Sequence, residues 1–340
     1  MELRNFIDGK FIDSISKKNI PVLNPANQKI VGNIDEALDQ EIDLAFQAAK
    51  KAFDKRILVD MDAKEKSKMM RAIAQKLRER KNEGGKLLSQ ENGKTIKQCI
   101  GEFEGAADTF DFYAGMTDKI QNKLIPSGKD TFNYVVLEPF GVSLQIVPWN
   151  YPVSIFSGMV AQNWIVGNTI VIKPPELCPL SSNFYGKIFD EVGVPKGVIN
   201  IVHGYGEVTG RKLVQHSGSD YIVFTGSPEV ASEILKETAD RIIPCHFELG
   251  GKSAAIIYPD ADIDKAVDST IKGIFKPNAG QICVAMSRVI VHPSIKDEYM
   301  TKLISKSKKL KIGSGDASDT EVTPLISKNQ MQRVTNYINS

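Results

Sequence analysis

The chain has 340 residues, 42% of them apolar, with 43 Lys and Arg against 41 Asp and Glu. That length exceeds one ordinary core, so two packed lobes are expected, and the apolar content argues against a disordered chain. A formal charge of +2 leaves no strongly basic face for a phosphate backbone, so no nucleic-acid partner is expected.

Met1-Glu2-Leu3-Arg4-Asn5 carries charge where a signal peptide needs an apolar run, which points to a cytoplasmic address. Asp8-Gly9, set between Phe6-Ile7 and Lys10-Phe11-Ile12, predicts an antiparallel hairpin. Ile42, Ala45, Phe46, Ala49, Ala52 and Phe53 recur at helical spacing, as do Met69, Met70, Ile73, Ala74 and Leu77, and Phe103, Ala106 and Phe110 mark a third helix. The pattern loosens from 118 to 137, and Thr131 to Leu137 reads as a strand or hairpin arm.

No charge falls between Glu138 and Lys173, a span long enough to suggest a membrane helix. Gln145, Pro148, Asn150, Pro152, Gln162, Asn163 and Asn168 interrupt it, so it reads as a buried strand, a loop and a buried helix, with no membrane partner. Strands near Val142 to Ile146, Thr169 to Ile172, Val198 to Val202, Tyr221 to Phe224 and Ala254 to Ile257 alternate with helix-like segments. That rhythm predicts parallel βαβ units and an α/β fold. Lys302 to Lys311 is Lys-rich and reads as a solvated helix face.

Four cysteines, Cys99, Cys178, Cys245 and Cys283, lie far apart without zinc-type spacing, so neither a metal site nor a disulfide framework is expected. Cys283 ends the run Asn-Ala-Gly-Gln-Ile-Cys, downstream of Phe247-Glu-Leu-Gly-Gly-Lys252. A thiol nucleophile and a carboxylate base suit acyl transfer through a thioester. Taken alone, Cys283 reads as an inert core thiol, and Glu248 as a helix cap or a partner of Lys252.

Pro148-Trp149-Asn150-Tyr-Pro152 is a proline-bracketed loop whose fixed amide could serve an oxyanion or simply a turn. Lys173-Pro-Pro-Glu176 could meet a ribose or form a surface ion pair. Gly204-Tyr-Gly206-Glu-Val-Thr-Gly210 has the wrong last spacing for the usual dinucleotide fingerprint. Phe224-Thr225-Gly226-Ser227 follows an apolar strand, and Pro228 suits the first turn of a helix, whose positive end could face a pyrophosphate or nicotinamide.

Taken in order, Pro148-Trp-Asn150, Lys173-Pro-Pro-Glu176, Phe224-Thr-Gly-Ser227, Glu248-Leu-Gly-Gly-Lys252 and Gly280-Gln-Ile-Cys283 resemble the aldehyde dehydrogenase superfamily. The resemblance runs along the whole chain, from the Phe6 hairpin and Glu91-Asn-Gly-Lys94 to Arg288 and Gly313-Ser-Gly315. It implies a Rossmann-like parallel-sheet cofactor domain (1–117 and 138–249), an oligomerisation hairpin (118–137) and a partial α/β catalytic domain (250–340). By the same resemblance Cys283 is the nucleophile, Glu248 the general base, and Asn150 with the Cys283 backbone amide the oxyanion hole. Ile146, Pro148, Trp149, Lys173, Glu176, Gly206, Gly210, Phe224, Thr225, Gly226, Ser227, Val230 and Leu249 would surround NAD, with NADP possible but disfavoured by the Glu176 carboxylate.

A small aldehyde is the implied substrate and a homo-oligomer the implied assembly. The Asn-Ala-Gly-Gln-x-Cys run is similar to the semialdehyde-oxidising branch, succinate semialdehyde dehydrogenases included. Ala231 stands where the family has a glycine, and Lys276-Pro277 looks like a one-residue lengthening of the nucleophile loop. Family members continue beyond the position of Ser340, which implies a fragment or a truncated form. An inactive cofactor-binding or structural chain and a cofactor-independent thiol esterase are the alternative expectations.

Overall fold

A computed structural model describes residues 2–340, built around one seven-stranded sheet. Its strands are β1 (Asn5–Ile7), β2 (Lys10–Ile12), β3 (Val142–Ile146), β4 (Thr169–Lys173), β5 (Ile199–Ile201), β6 (Tyr221–Gly226) and β7 (Cys245–Leu249). They lie in the order β7-β6-β3-β4-β5-β1-β2. Neighbours from β7 to β5 are parallel, and the β1–β2 hairpin joins that edge antiparallel. Asp8 and Gly9 turn the hairpin with φ of 50° and 72°, the left-handed pair that an Asp-Gly turn favours.

Helices cover both faces: α1 (Asp39–Asp54), α2 (Ala63–Asn92), α3 (Ile96–Ala114), α4 (Pro152–Val166), α5 (Ser182–Val192) and α6 (Pro228–Thr238). Side chains of β4 show why the sheet is covered on both faces. Ile170 and Ile172 enter one core with Phe103, Phe156 and Trp164, while Val171 enters the other with Phe46, Leu144 and Ile222. Alternation with a period of two sends neighbours to opposite faces, and burial on both sides gives the strand its continuous apolar run.

Chain direction across the sheet creates the crevice that matters. From β3 the chain runs through α4 to β4 on one side, and from β6 through α6 to β7 on the other, while β3 and β6 are neighbours. Opposed crossovers from adjacent strands leave a gap at their carboxyl ends, the usual ligand position of doubly wound sheets. Those ends are Ile146 and Gly226.

The remaining strands form small sheets. Glu2–Leu3, Ile30–Asp35 and Asn19–Leu23 make one of three strands, and Lys123–Ile125 pairs with Asn133–Val135. Ala254–Ile257, expected to continue the parallel units, instead pairs with Arg288–Val291 in a separate parallel pair. Helices α7 (Ile263–Thr270) and α8 (Lys296–Ser307) accompany it, with a core of Ile257, Val267, Ile271 and Tyr299. Helix α9 (Lys328–Asn339) follows. In α8, Lys302 and Lys306 pair with Asp264 and Asp268, the solvated face expected of that run.

No helix among the described residues is long and apolar enough to cross a membrane. No cluster of three metal-ligating side chains occurs among them either.

Candidate active site

β3 ends at Ile146 and hands the chain to the loop that carries Asn150, after which Pro152 opens α4. Four donors hold this loop by its carbonyls. Trp149 O accepts from Asn92 Nδ2 at 2.7 Å and Cys178 Sγ at 3.1 Å, and Asn150 O accepts from Lys94 Nζ and Asn278 Nδ2, both at 3.0 Å. The Asn150 side chain accepts from the Tyr151 amide through Oδ1 and donates from Nδ2 to Gln281 O at 3.1 Å. An amide nitrogen has two hydrogens, so one remains for a ligand.

The donor chain that reaches Asn150 begins in the nucleophile loop. Asn278, Ala279 and Gly280 all have positive φ, at 47°, 51° and 79°, a strained turn for the first two residues. Buried partners hold the strain: Gln281 Nε2 donates to Asn278 O at 2.9 Å, and Gln281 Oε1 accepts from the Ile326 amide at 3.1 Å. Two residues on, Cys283 is an exposed free thiol, whereas Cys99 and Cys178 are buried. Burial pushes the Cys99 thiol up to about 12 and Cys178 well above its ordinary value, which leaves both inert.

Tyr151 ties the two loops electrically. Its hydroxyl is pushed up first by burial, a shift eased by Lys94 and increased by Glu102 and the Cys283 thiol. Gly251 joins the third segment. A Cβ on it would lie 3.2 Å from the Cys283 carbonyl oxygen, so the Glu248-Leu-Gly-Gly segment backs directly onto the nucleophile loop.

Glu248 faces solvent on β7, 68% exposed in its side chain, with His246 Nε2 at 3.2 Å. Side chains two apart share a strand face, which explains this partner in place of Lys252. No hydrogen bond links Glu248 to Asn150 or Cys283 among the described residues.

The thirteen remaining site residues lie along the carboxyl edge or just beyond it. Ile146 pairs with Phe224 and Lys173, Thr225 with Glu248, and Gly226 with Leu249, while Pro148 and Trp149 follow β3. Phe224 is buried, and its ring lies over Gly226, where a Cβ would fall 2.3 Å from ring carbon; only glycine fits there. Ser227 caps α6 by accepting from the Val230 amide at 3.4 Å, with Pro228 in the first turn. Val230 is itself exposed, and Ala231 is buried against the α1 side of the sheet.

Lys173 is buried and donates to Pro174 O at 2.9 Å and Glu176 Oε2 at 3.0 Å. Burial raises the Glu176 carboxyl, but the Lys173 charge, its hydrogen bond and the Gly206 amide outweigh it and hold the group below its usual range. Gly206 and Gly210 belong to a wide helical turn, Gly206–Gly210, that continues into Arg211–Gln215. The turn sets Gly206 opposite Glu176 and Gly210 beside the Lys173 stem.

Beneath the Asn150 loop lies a polar layer to which the family resemblance gave a motif but no role. Glu91-Asn-Gly-Lys94 forms the corner between α2 and α3: Gly93 caps α2 at φ 92°, and Thr95 caps α3. Glu91, Asn92 and Lys94 are buried there. Both Glu91 oxygens accept amides of Leu180 and Ser181 before α5, and burial pushes its carboxyl up to about 8. The Gly stop followed by a Thr start was the available signal for this corner.

The fold is a doubly wound α/β sheet, with an exposed thiol on a loop that contacts the segments following β3 and β7. The sequence profile of the Aldehyde dehydrogenase family matches residues 11–340. The peroxisomal aminoaldehyde dehydrogenase 1 of Pisum sativum is 37% identical over 98% of this chain and 68% of its own length. The betaine aldehyde dehydrogenase of Bacillus subtilis is 35% identical with the same shares. The structure of aldehyde dehydrogenase from Bacillus cereus in complex with NAD+ superposes with a TM-score of 0.97 at 36% identity, covering 100% of this chain and 69% of that one. The chain belongs to the aldehyde dehydrogenase family.

Proposed function

We propose that the chain oxidises an aldehyde to a carboxylic acid through a thioester on Cys283, with NAD as hydride acceptor. One observation carries this reading: the Asn150 amide donates into the nucleophile loop two residues before Cys283, while Gly251 of the Glu248 segment backs onto the Cys283 carbonyl. The crevice suits a dinucleotide. It offers an ionised Glu176 at the sheet edge, a bare Gly226 and the capped, positive end of α6.

The Cys283 thiolate forms a bond to the carbonyl carbon, and the carbonyl electron pair moves to oxygen. Asn150 Nδ2, through its second hydrogen, and the Cys283 backbone amide hold that oxygen. NAD, when bound, supplies the acceptor for the aldehyde's hydride. Glu248 then leaves His246 and takes a proton from water, which attacks the thioester; the carbon–sulfur bond breaks and the acid leaves.

Residues 1–117 and 138–249 hold the cofactor in this reading, and 250–340 supply the nucleophile. The 123–135 hairpin exposes Leu124, Ile125, Phe132, Tyr134 and Val135, which supports docking on a second copy. The substrate class follows the relatives named above for amino- and betaine aldehydes; the semialdehyde branch rests on the 278–283 run alone.

NADH formation over an aminoaldehyde, betaine aldehyde and succinate semialdehyde, with hydrolysis of a nitrophenyl ester in parallel, tests the reading. Native chain is expected to form NADH and Cys283→Ala none. NADH from Cys283→Ala would refute the nucleophile, and ester hydrolysis without NADH would favour the thiol esterase.

A further inference from the structure

Lys94 fills the α2–α3 corner, 1% exposed. Burial opposes its charge, but Glu102 overrides burial and holds its pKa above the ordinary lysine value. The ammonium has three hydrogens. Its partners are the Glu102 carboxylate, the Asn150 carbonyl at 3.0 Å, and the Tyr151 ring, whose centre is 4.4 Å away. Glu102 Oε1 in turn accepts from the Val153 and Ser154 amides at 2.9 and 3.1 Å, in the first turn of α4.

The carbonyl of 150, the ring of 151 and the amides of 153 and 154 therefore all attach to one buried ion pair. Buried ion pairs are weak sources of stability compared with apolar packing of the same volume, and their best-attested use is to specify one arrangement. The arrangement specified here is the Asn150 loop. The Asn278 side chain completes it by donating to the same carbonyl at 3.0 Å.

We propose that Lys94, partnered by Glu102, is a positioning residue that sets the direction in which Asn150 presents its second amide hydrogen at Cys283. The inference rests on the reading of Asn150 as oxyanion donor. Lys94→Met/Glu102→Gln removes both charges yet keeps an acceptor for Val153 and Ser154, so the fold is expected to survive with an unchanged Tm.

Two measurements on the whole chain test it. In proton–nitrogen correlation spectra the Asn150 side-chain pair, assigned with Asn150→Asp, should move in the double variant and stay put in Lys252→Met. In aldehyde oxidation kcat should fall about ten-fold or more at nearly constant KM, and the same two substitutions should cause no further loss in an Asn150→Ala background. Unmoved Asn150 resonances would overturn the proposal, as would an equal kcat loss in the Asn150→Ala background. Absence of NADH from the native chain would sink the proposed reaction instead, leaving the resonance measurement to decide this point.

Discussion

Asn150 stands on a loop held through its carbonyls by Asn92, Cys178, Lys94 and Asn278, whereas Glu248 stands on the edge strand β7, open to solvent, with one histidine for a partner. The contrast fits their proposed tasks. A group that stabilises developing charge must be aimed before the reaction begins, because reorienting it during the reaction costs what the contact gains. A base that changes partners between steps needs freedom instead.

The same division separates the supports. Under Asn150 lie buried Glu91, Asn92, Lys94, Cys99, Glu102 and Cys178, gathered from α2, α3 and the segment before α5. After β7 the Ala254–Ile257 and Arg288–Val291 pair leaves Ile256 and Ile290 exposed. One side is over-determined by partners distant in sequence; the other is set by its strand alone.

Breaking the tighter side should give the largest effect. Lys94→Met alone strands the Glu102 carboxylate in the core and should cost about 3–5 kcal/mol of folding stability in urea unfolding. Glu248→Gln should shift it by no more than about 0.5 kcal/mol; equal losses in the two variants would erase the comparison. Asn150→Ala should lower kcat by about 10²–10³ while leaving NAD affinity unchanged, measured by steady-state kinetics and by titration of NAD.

Glu248→Gln should retain a rapid burst of NADH followed by turnover slower by about 10²–10⁴. Loss of the burst itself would place Glu248 before the thioester and sharpen the division differently. A last test concerns His203, which is buried beyond β5 beside Lys173, with Nδ1 unpartnered. Burial first, and then the Lys173 charge, push its pKa from 6.5 down to about 3.

The unfolded chain therefore binds a proton that the folded chain refuses between those values. Its contribution is fully present above pH 6.5 and lost as pH falls toward about 3, at roughly 1.4 kcal/mol per pH unit. Urea unfolding of His203→Gln at about pH 7 and about pH 5 should show a shallower acid slope than the native chain; identical slopes would remove His203 from the account.

Much of the molecule was legible from residue order alone. Asp8-Gly9 called for a left-handed turn, the spacing of Ile42 to Phe53 and of Met69 to Leu77 for helices, and the charge-free run from 139 to 172 for a buried strand and helix. These are local demands: backbone sterics at a glycine, or the 3.6-residue period of an apolar stripe, involve neighbours only. The Glu248 and Cys283 segments were legible because a carboxylate beside two glycines and a cysteine after Gly-Gln are unusual strings.

Tertiary structure decided the rest. Ala254–Ile257 has the look of a sheet strand, yet it pairs elsewhere, because pairing depends on which edge is open and not on propensity. Glu248 faces water on the same strand face as His246, which composition does not reveal. Lys94 meets Asn150 across 56 residues and Asn278 meets it across 128. Polar groups buried in one place must satisfy one another wherever the fold brings them, so the clamp on Asn150 exists only once α2, α3, β3 and the nucleophile loop have converged.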